Sequence, residues 1–259
     1  KYLSNKGIIP GIKVDKGAIP LTKDSEEKFT EGLDGLNERL KEYKMLGAEF
    51  TKWRAIIHID LTKNYPSSYC LESNAFMLAR YAKTVQDNKM VPIVEPEVLM
   101  DGNHTIEDCF EVTSSTLKKV FQQLELHQVD LSGILLKPNM VISGTNCKEK
   151  ASVEKVSKLT IQCLNENVPT EVPGIVFLSG GQSNEKATLH LNEMNKSFEN
   201  SPWKISFSYG RALQQPSISS WKGNINNVKI SQDALFKRSK LNSSATSGVY
   251  SPNDEQQMT

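Results

Sequence analysis

The chain has few of the residues that bind metals or form covalent staples. It carries four cysteines, Cys70, Cys109, Cys147 and Cys163, with no C-x-x-C pair among them. That excludes a zinc ribbon and a disulfide frame, and fits reduced thiols in a cytoplasmic protein. Its four histidines are scattered, without an H-E-x-x-H, so neither a metal nor any other cofactor is expected. Asn103-His104-Thr105 is read as a chance sequon. No run of about 18 apolar residues and no charged-then-apolar amino-terminal signal occurs, so the sequence predicts a soluble, untargeted protein with no membrane partner. The formal net charge is only +1, which argues against nucleic acid and acidic lipid surfaces. A G-x-G-x-x-G is also missing, which weakens a dinucleotide-binding sheet.

What is present is a regular alternation. Strand-like runs are read at 11–17, 52–59, 90–97, 133–140, 174–178 and 203–209. Helical periodicity follows most of them, as in Leu33, Leu36, Leu40, Tyr43 and Leu46, then Leu71, Ala75, Leu78, Ala79 and Ala82. Lys23 to Lys28 reads as a polar loop, Ser183 as a helix cap, and a final helix spans about 227–240. The polar ends of successive strands recur about 40 residues apart, the length of a strand, a helix and two loops. A chain of 259 residues with 38% hydrophobic content can bury a barrel-sized core. The expected fold class is α/β, a parallel sheet or barrel, with an open doubly wound sheet as the structural alternative. One domain over 1–240 and a flexible tail over 241–259 are expected.

The stretch Gly133-Ile134-Leu135-Leu136-Lys137-Pro138-Asn139-Met140 carries the sharpest signal. A lysine behind two leucines is either a strand-end charge reaching solvent or an amine desolvated enough to attack a carbonyl. Residues two apart on a strand share a face, so Lys13 pairs with Asp15, Lys52 with Arg54, Glu95 with Glu97, and Lys137 with Asn139. If the sheet closes, these groups converge. Neighbouring cations would then favour the free-base form of Lys137 and the ionised forms of Glu95 and Glu97. An amine nucleophile beside proton-shuttling carboxylates is what Schiff-base chemistry needs. Lys52 and Arg54 are exceptions to the strand-end rule, because they open their strand in this reading. Ser179-Gly180-Gly181, ahead of a helix amino terminus, and Gly210-Arg211 offer a hydroxyl, bare amides and a guanidinium to an anion such as phosphate.

Together the stretches G-I-K-V-D-K-G (11–17), K-W-R (52–54), V-P-I-V-E-P-E (91–97), L-L-K-P-N-M (135–140), F-L-S-G-G-Q-S (177–183) and F-S-Y-G-R-A-L-Q (207–214) resemble class I fructose-1,6-bisphosphate aldolase, in order, from about Gly11 to about Asn242. The resemblance implies a TIM-type (β/α)8 barrel, of which this chain holds about six of the eight units. It implies a metal-independent glycolytic lyase, cytoplasmic and usually a homotetramer, acting on a phosphorylated sugar. Lys137 would form the imine, Glu95 would shuttle protons, and Glu97 and Lys52 would order the site. Ser179, Gly180, Gly210 and Arg211 would hold the phosphate on the ketone side, and Lys13 and Arg54 the other phosphate. The family's first-strand aspartate and terminal tyrosine have no counterpart here, although Tyr250 lies in a matching stretch. A second reading therefore stays open at this stage, an impaired aldolase-like binding or scaffold protein, or a fragment lacking the first two strands.

Overall fold

A computed structural model describes residues 2–198 and 200–257. Six parallel strands lie side by side in chain order: β1 (Gly11–Lys13), β4 (Phe50–Ile57), β5 (Val91–Val98), β6 (Leu135–Leu136), β7 (Gly174–Phe177) and β8 (Lys204–Phe207). Between the first two strands the chain makes an antiparallel hairpin of β2 (Gly17–Pro20) and β3 (Lys28–Glu31). Each strand of the sheet returns through helix: α1 (Leu36–Met45), α2 (Ser68–Asp87), α3 (Ile106–Leu126), α4 (Val153–Asn167), α5 (Asn184–Ser197), and after the last strand α6 (Arg211–Trp221) and α7 (Val228–Thr246). A one-turn α8 (Asp254–Gln257) follows. Among the described residues, β1 and β8 do not pair with each other, so the six strand–helix units form an open arc.

The helices start where capping chemistry allows. Ser67, Ser152 and Ser183 each accept a hydrogen bond from a first-turn backbone N–H, satisfying a donor that the helix leaves orphaned. Thr105 and Asp108 form a reciprocal capping box at α3, which gives the Asn103-His104-Thr105 stretch a structural role. The helix faces turned to the sheet are apolar. Leu78, Ala79, Tyr81, Ala82 and Val85 of α2, and Leu117, Val120 and Leu124 of α3, are almost fully buried. Close packing of this kind supplies most of the driving force for the fold.

In β4 exposure alternates strictly. Thr51, Trp53, Ala55 and Ile57 are buried under the helices, while Lys52, Arg54 and Ile56 face the other way. Trp53 stacks obliquely on Tyr81 with ring centroids 5.3 Å apart, and Tyr81 shares a hydrogen bond with Thr51 at 2.8 Å. The outer face is thus locked to α2, and register sends Lys52 and Arg54 to the concave face.

Four sequence expectations are corrected. Lys52 and Arg54 do not open their strand, because β4 begins at Phe50 and pairs with β1 from that residue. The stretch around Lys137 is a strand for two residues only; Pro138 has no N–H for the ladder, and the chain leaves the sheet there. The polar loop over 23–28 ends inside a hairpin, held by Glu27, which accepts from Ser67 N–H and Ser67 Oγ at 2.6 Å each. The last helix runs past Lys240 to Thr246, and Leu241, Asn242 and Ala245 on it are buried. The tail boundary expected at 241 therefore falls inside α7. Beyond it, Tyr250 is buried, and Glu255 meets Arg238 at 2.5 Å and Tyr250 Oη at 3.0 Å. Ser, Asn and Gln content suggested a tail, but Asn242 Oδ1 accepts from Thr188 Oγ1 at 2.7 Å and Ser251 N–H donates to Asp254 Oδ2 at 2.9 Å. Residues 258 and 259 of that stretch lie outside the described ones.

Candidate active site

Parallel pairing brings β1, β4, β5 and β6 to one height. Lys13 stands opposite Lys52, Lys52 opposite Ile93, Arg54 opposite Glu95, and Leu136 opposite Val94. Lys137 keeps its place next to β5 because its N–H donates to Val94 O at 2.8 Å. From these positions the charged side chains form a continuous network on the concave face.

Glu95 is its centre. Its carboxylate is 3% exposed and lies between two lysines. Lys137 Nζ is 3.1 Å from Oε1, and Lys52 Nζ is 2.8 Å from Oε2, an ion contact out of line for a hydrogen bond. Arg54 Nε donates to Glu97 Oε2. Burial opposes the charge on Arg54, but the bond to Glu97 and the charges of Glu97, Glu95 and Asp15 outweigh it and raise its pKa. Asp15 closes the network from the other side. Its Oδ1 is 2.5 Å from Lys13 Nζ, and its Oδ2 is 4.0 Å from Lys52 Nζ. It also accepts from the backbone N–H groups of Gly17 and Arg54, both at 3.2 Å. Asp15 was visible in the sequence only as the face-mate of Lys13, with no role assigned. Its 2% side-chain exposure and four partners make it the fixed point that holds Lys13 and Lys52 in register.

Such a network can do specific chemistry. Lys137 is 11% exposed, and its ammonium touches a carboxylate able to take its proton. Lys52 faces the second oxygen of that carboxylate and keeps it in place. Exchange of a proton between amine and carboxylate is possible without rearrangement. Asn139 does not join this face as alternation suggested. After Pro138 the chain turns, and Asn139 accepts from Val98 N–H at 3.0 Å while donating to Thr113 Oγ1 on α3 at 3.0 Å.

On the next strand after β6, Ser179, Gly180 and Gly181 follow the end of β7. Gly180 and Gly181 adopt φ of +60° and +90°, a region costly for residues with a Cβ. At Gly181 a Cβ would stand 3.2 Å from Met100 Sδ and 3.3 Å from Arg211 Nη2. The Arg211 guanidinium therefore lies against this loop. Ser208 N–H donates to Phe177 O at 2.9 Å, so the segments carrying Ser179 and Gly210 run side by side. Gly210 precedes α6 without any side-chain cap, leaving first-turn N–H groups available to an anion beside Arg211. A cavity of about 420 Å³ opens behind the loop, lined by Met100, Gly181, Gln182 and His190 among others. It does not include Lys137, so the chemistry and this cavity are separate.

Comparison with known proteins bears on this arrangement. The family model for fructose-bisphosphate aldolase class-I matches residues 1–259. A probable class 1 fructose-bisphosphate aldolase of Xanthomonas campestris pv. campestris is 53% identical over 251 residues, 96% of this chain and 74% of that protein. The fructose-bisphosphate aldolase of Dictyostelium discoideum is 52% identical over 240 residues, 93% of this chain and 67% of its own length. A solved fructose-bisphosphate aldolase from Plasmodium falciparum, crystallised with TRAP and a small-molecule inhibitor, superposes with a TM-score of 0.94 at 48% identity. That match covers 96% of this chain and 72% of the solved one.

Proposed function

We propose, from the premise that this chain belongs to the class-I fructose-bisphosphate aldolase family, that Lys137 is the imine-forming lysine of its reaction and Glu95 the proton carrier. The fold is of the TIM-barrel type, with six of its strand–helix units in this chain, and the reaction of the family is the reversible cleavage of fructose 1,6-bisphosphate to dihydroxyacetone phosphate and glyceraldehyde 3-phosphate in glycolysis. The contact of Lys137 Nζ with Glu95 Oε1 at 3.1 Å is the observation that carries the residue assignment.

Glu95 takes a proton from Lys137, and the free amine attacks the ketone carbon to give a carbinolamine. Glu95 returns the proton to the departing hydroxyl, water leaves, and an iminium remains. Glu95, again a carboxylate, takes the proton of the C4 hydroxyl as the C3–C4 bond breaks. The electron pair of that bond moves into the iminium, leaving an enamine on Lys137 and releasing the aldehyde. Glu95 returns that proton to the enamine carbon, and water hydrolyses the resulting iminium to free dihydroxyacetone phosphate and the Lys137 amine. Lys52 holds the Glu95 carboxylate in place between steps, and Glu97 holds Arg54. Ser179, Gly180, Gly210 and Arg211 hold the ketone-side phosphate, and Lys13 and Arg54 the other one. Cytoplasmic location and assembly into a homotetramer are part of the same proposal, on the strength of the family resemblance.

A coupled assay that follows fructose 1,6-bisphosphate cleavage in the presence of EDTA tests this. Turnover that survives EDTA and falls by more than about a hundredfold in Lys137→Met supports the assignment. Turnover retained in Lys137→Met contradicts it.

A further inference from the structure

His190 sits on α5, lines the cavity behind the Ser179–Gly181 loop together with Gly181 and Gln182, and is 5% exposed. Its Nδ1 is 2.6 Å from Gln182 Oε1. The Gln182 amide nitrogen donates to Ser179 O at 3.1 Å and points to Met140 Sδ at 3.6 Å. A carbonyl oxygen can only accept, so the amide orientation is forced and Oε1 must face His190. His190 Nδ1 therefore carries the proton. Ser179 O also accepts from the Gln182 backbone N–H at 3.0 Å. Two bonds thus fix the direction of that carbonyl. In a planar trans peptide the next N–H points the opposite way, so fixing Ser179 O also aims the Gly180 N–H. Gly180 and Gly181 contribute no side chains that could hold the loop themselves.

We propose that His190 is a positioning residue, acting through Gln182 to aim the Gly180 N–H and so to set how the ketone-side phosphate is held. The inference rests on the phosphate role given to that loop above. Burial, aided by Lys186, pushes the His190 pKa down to about 4, so the imidazole keeps one proton and one tautomer at neutral pH.

Borohydride trapping of dihydroxyacetone phosphate, compared with unphosphorylated dihydroxyacetone, tests it on the intact protein. His190→Phe keeps a ring but no donor, and His190→Asn keeps a donor near the Nδ1 position. The half-saturating dihydroxyacetone phosphate concentration should rise about five- to tenfold in His190→Phe, the loss of about one well-made hydrogen bond. Dihydroxyacetone trapping should be unchanged, and His190→Asn should restore the wild-type value. Equal shifts for both ketones, or none, overturn the proposal. If His190→Phe does not fold, Gln182→Leu beside His190→Asn carries the same comparison. Arg211→Ala separates the two layers. If it leaves dihydroxyacetone phosphate trapping untouched, the phosphate reading fails; if it weakens trapping while His190→Phe does not, only the His190 role is lost.

Discussion

Glu95→Gln removes one charge from between two others, and its cost can be worked from distances. Lys137 and Lys52 approach the carboxylate at 3.1 Å and 2.8 Å. At an effective dielectric constant of about 20, opposite charges about 3 Å apart attract by about 5 kcal/mol. Two contacts give about twice that in gross terms, and desolvation of the three groups offsets most of it. What remains on removing the carboxylate is the cost of two largely buried ammonium groups left facing each other, about 3 kcal/mol. For a chain of this size that lowers Tm by about 6–12 °C. A thermal melt measures the single variant, and a cycle with Lys52→Met measures the coupling, expected to be about 2 kcal/mol. A coupling below about 0.5 kcal/mol, the level of independent sites, would refute the network reading. Activity should fall as well, by about 10²- to 10⁴-fold, as for loss of a general acid–base group.

Three further outcomes follow from other parts of the molecule. His190 has a pKa of about 4 in the fold against an ordinary 6.5. In that interval the unfolded chain binds the extra proton, so stability is full above about pH 6.5 and falls as pH drops toward 4. Its share of the loss between pH 8 and pH 5 is about 2 kcal/mol, and urea melts of His190→Phe should lack that share. Gly181→Ala places a Cβ at φ +90° against Met100 and Arg211, and should destabilise by about 1–2 kcal/mol while weakening dihydroxyacetone phosphate binding, read by melts and titration. Burial pushes the thiols of Cys70 and Cys163 up to about 12 and that of Cys109 to about 11. A thiol reagent at pH 8 should therefore modify Cys147, which is partly exposed, before the other three. Equal rates for all four would contradict that.

The sequence made the parallel α/β pattern legible because each strand is a short apolar run with a long amphipathic helix behind it. It also placed Lys52, Arg54, Glu95 and Glu97 on shared faces, since strand alternation is a local rule, and the ion pairs Lys52–Glu95 and Arg54–Glu97 follow from parallel register. Where alternation was carried past the strand, it failed. Asn139 turns toward α3 because Pro138 ends the ladder. The hairpin over 17–31 was hidden because Glu27 and Lys28 look like loop residues until Ser67 meets Glu27 and Asn74 meets the Lys28 carbonyl, both from far along the chain. The Arg238–Glu255 pair was hidden for the same reason. His190 was unreadable, because one buried histidine on a helix has no local signature. Its meaning lies in Gln182, eight residues earlier, and in the direction of one carbonyl.

The most direct test of Lys137 as the imine-forming residue is borohydride reduction in the presence of dihydroxyacetone phosphate, followed by peptide mapping. The expected result is one stable adduct, on the peptide carrying Lys137, lost in Lys137→Met. An adduct on Lys52 or Lys13 instead, or none on folded protein, would contradict the assignment on which the proposed mechanism depends.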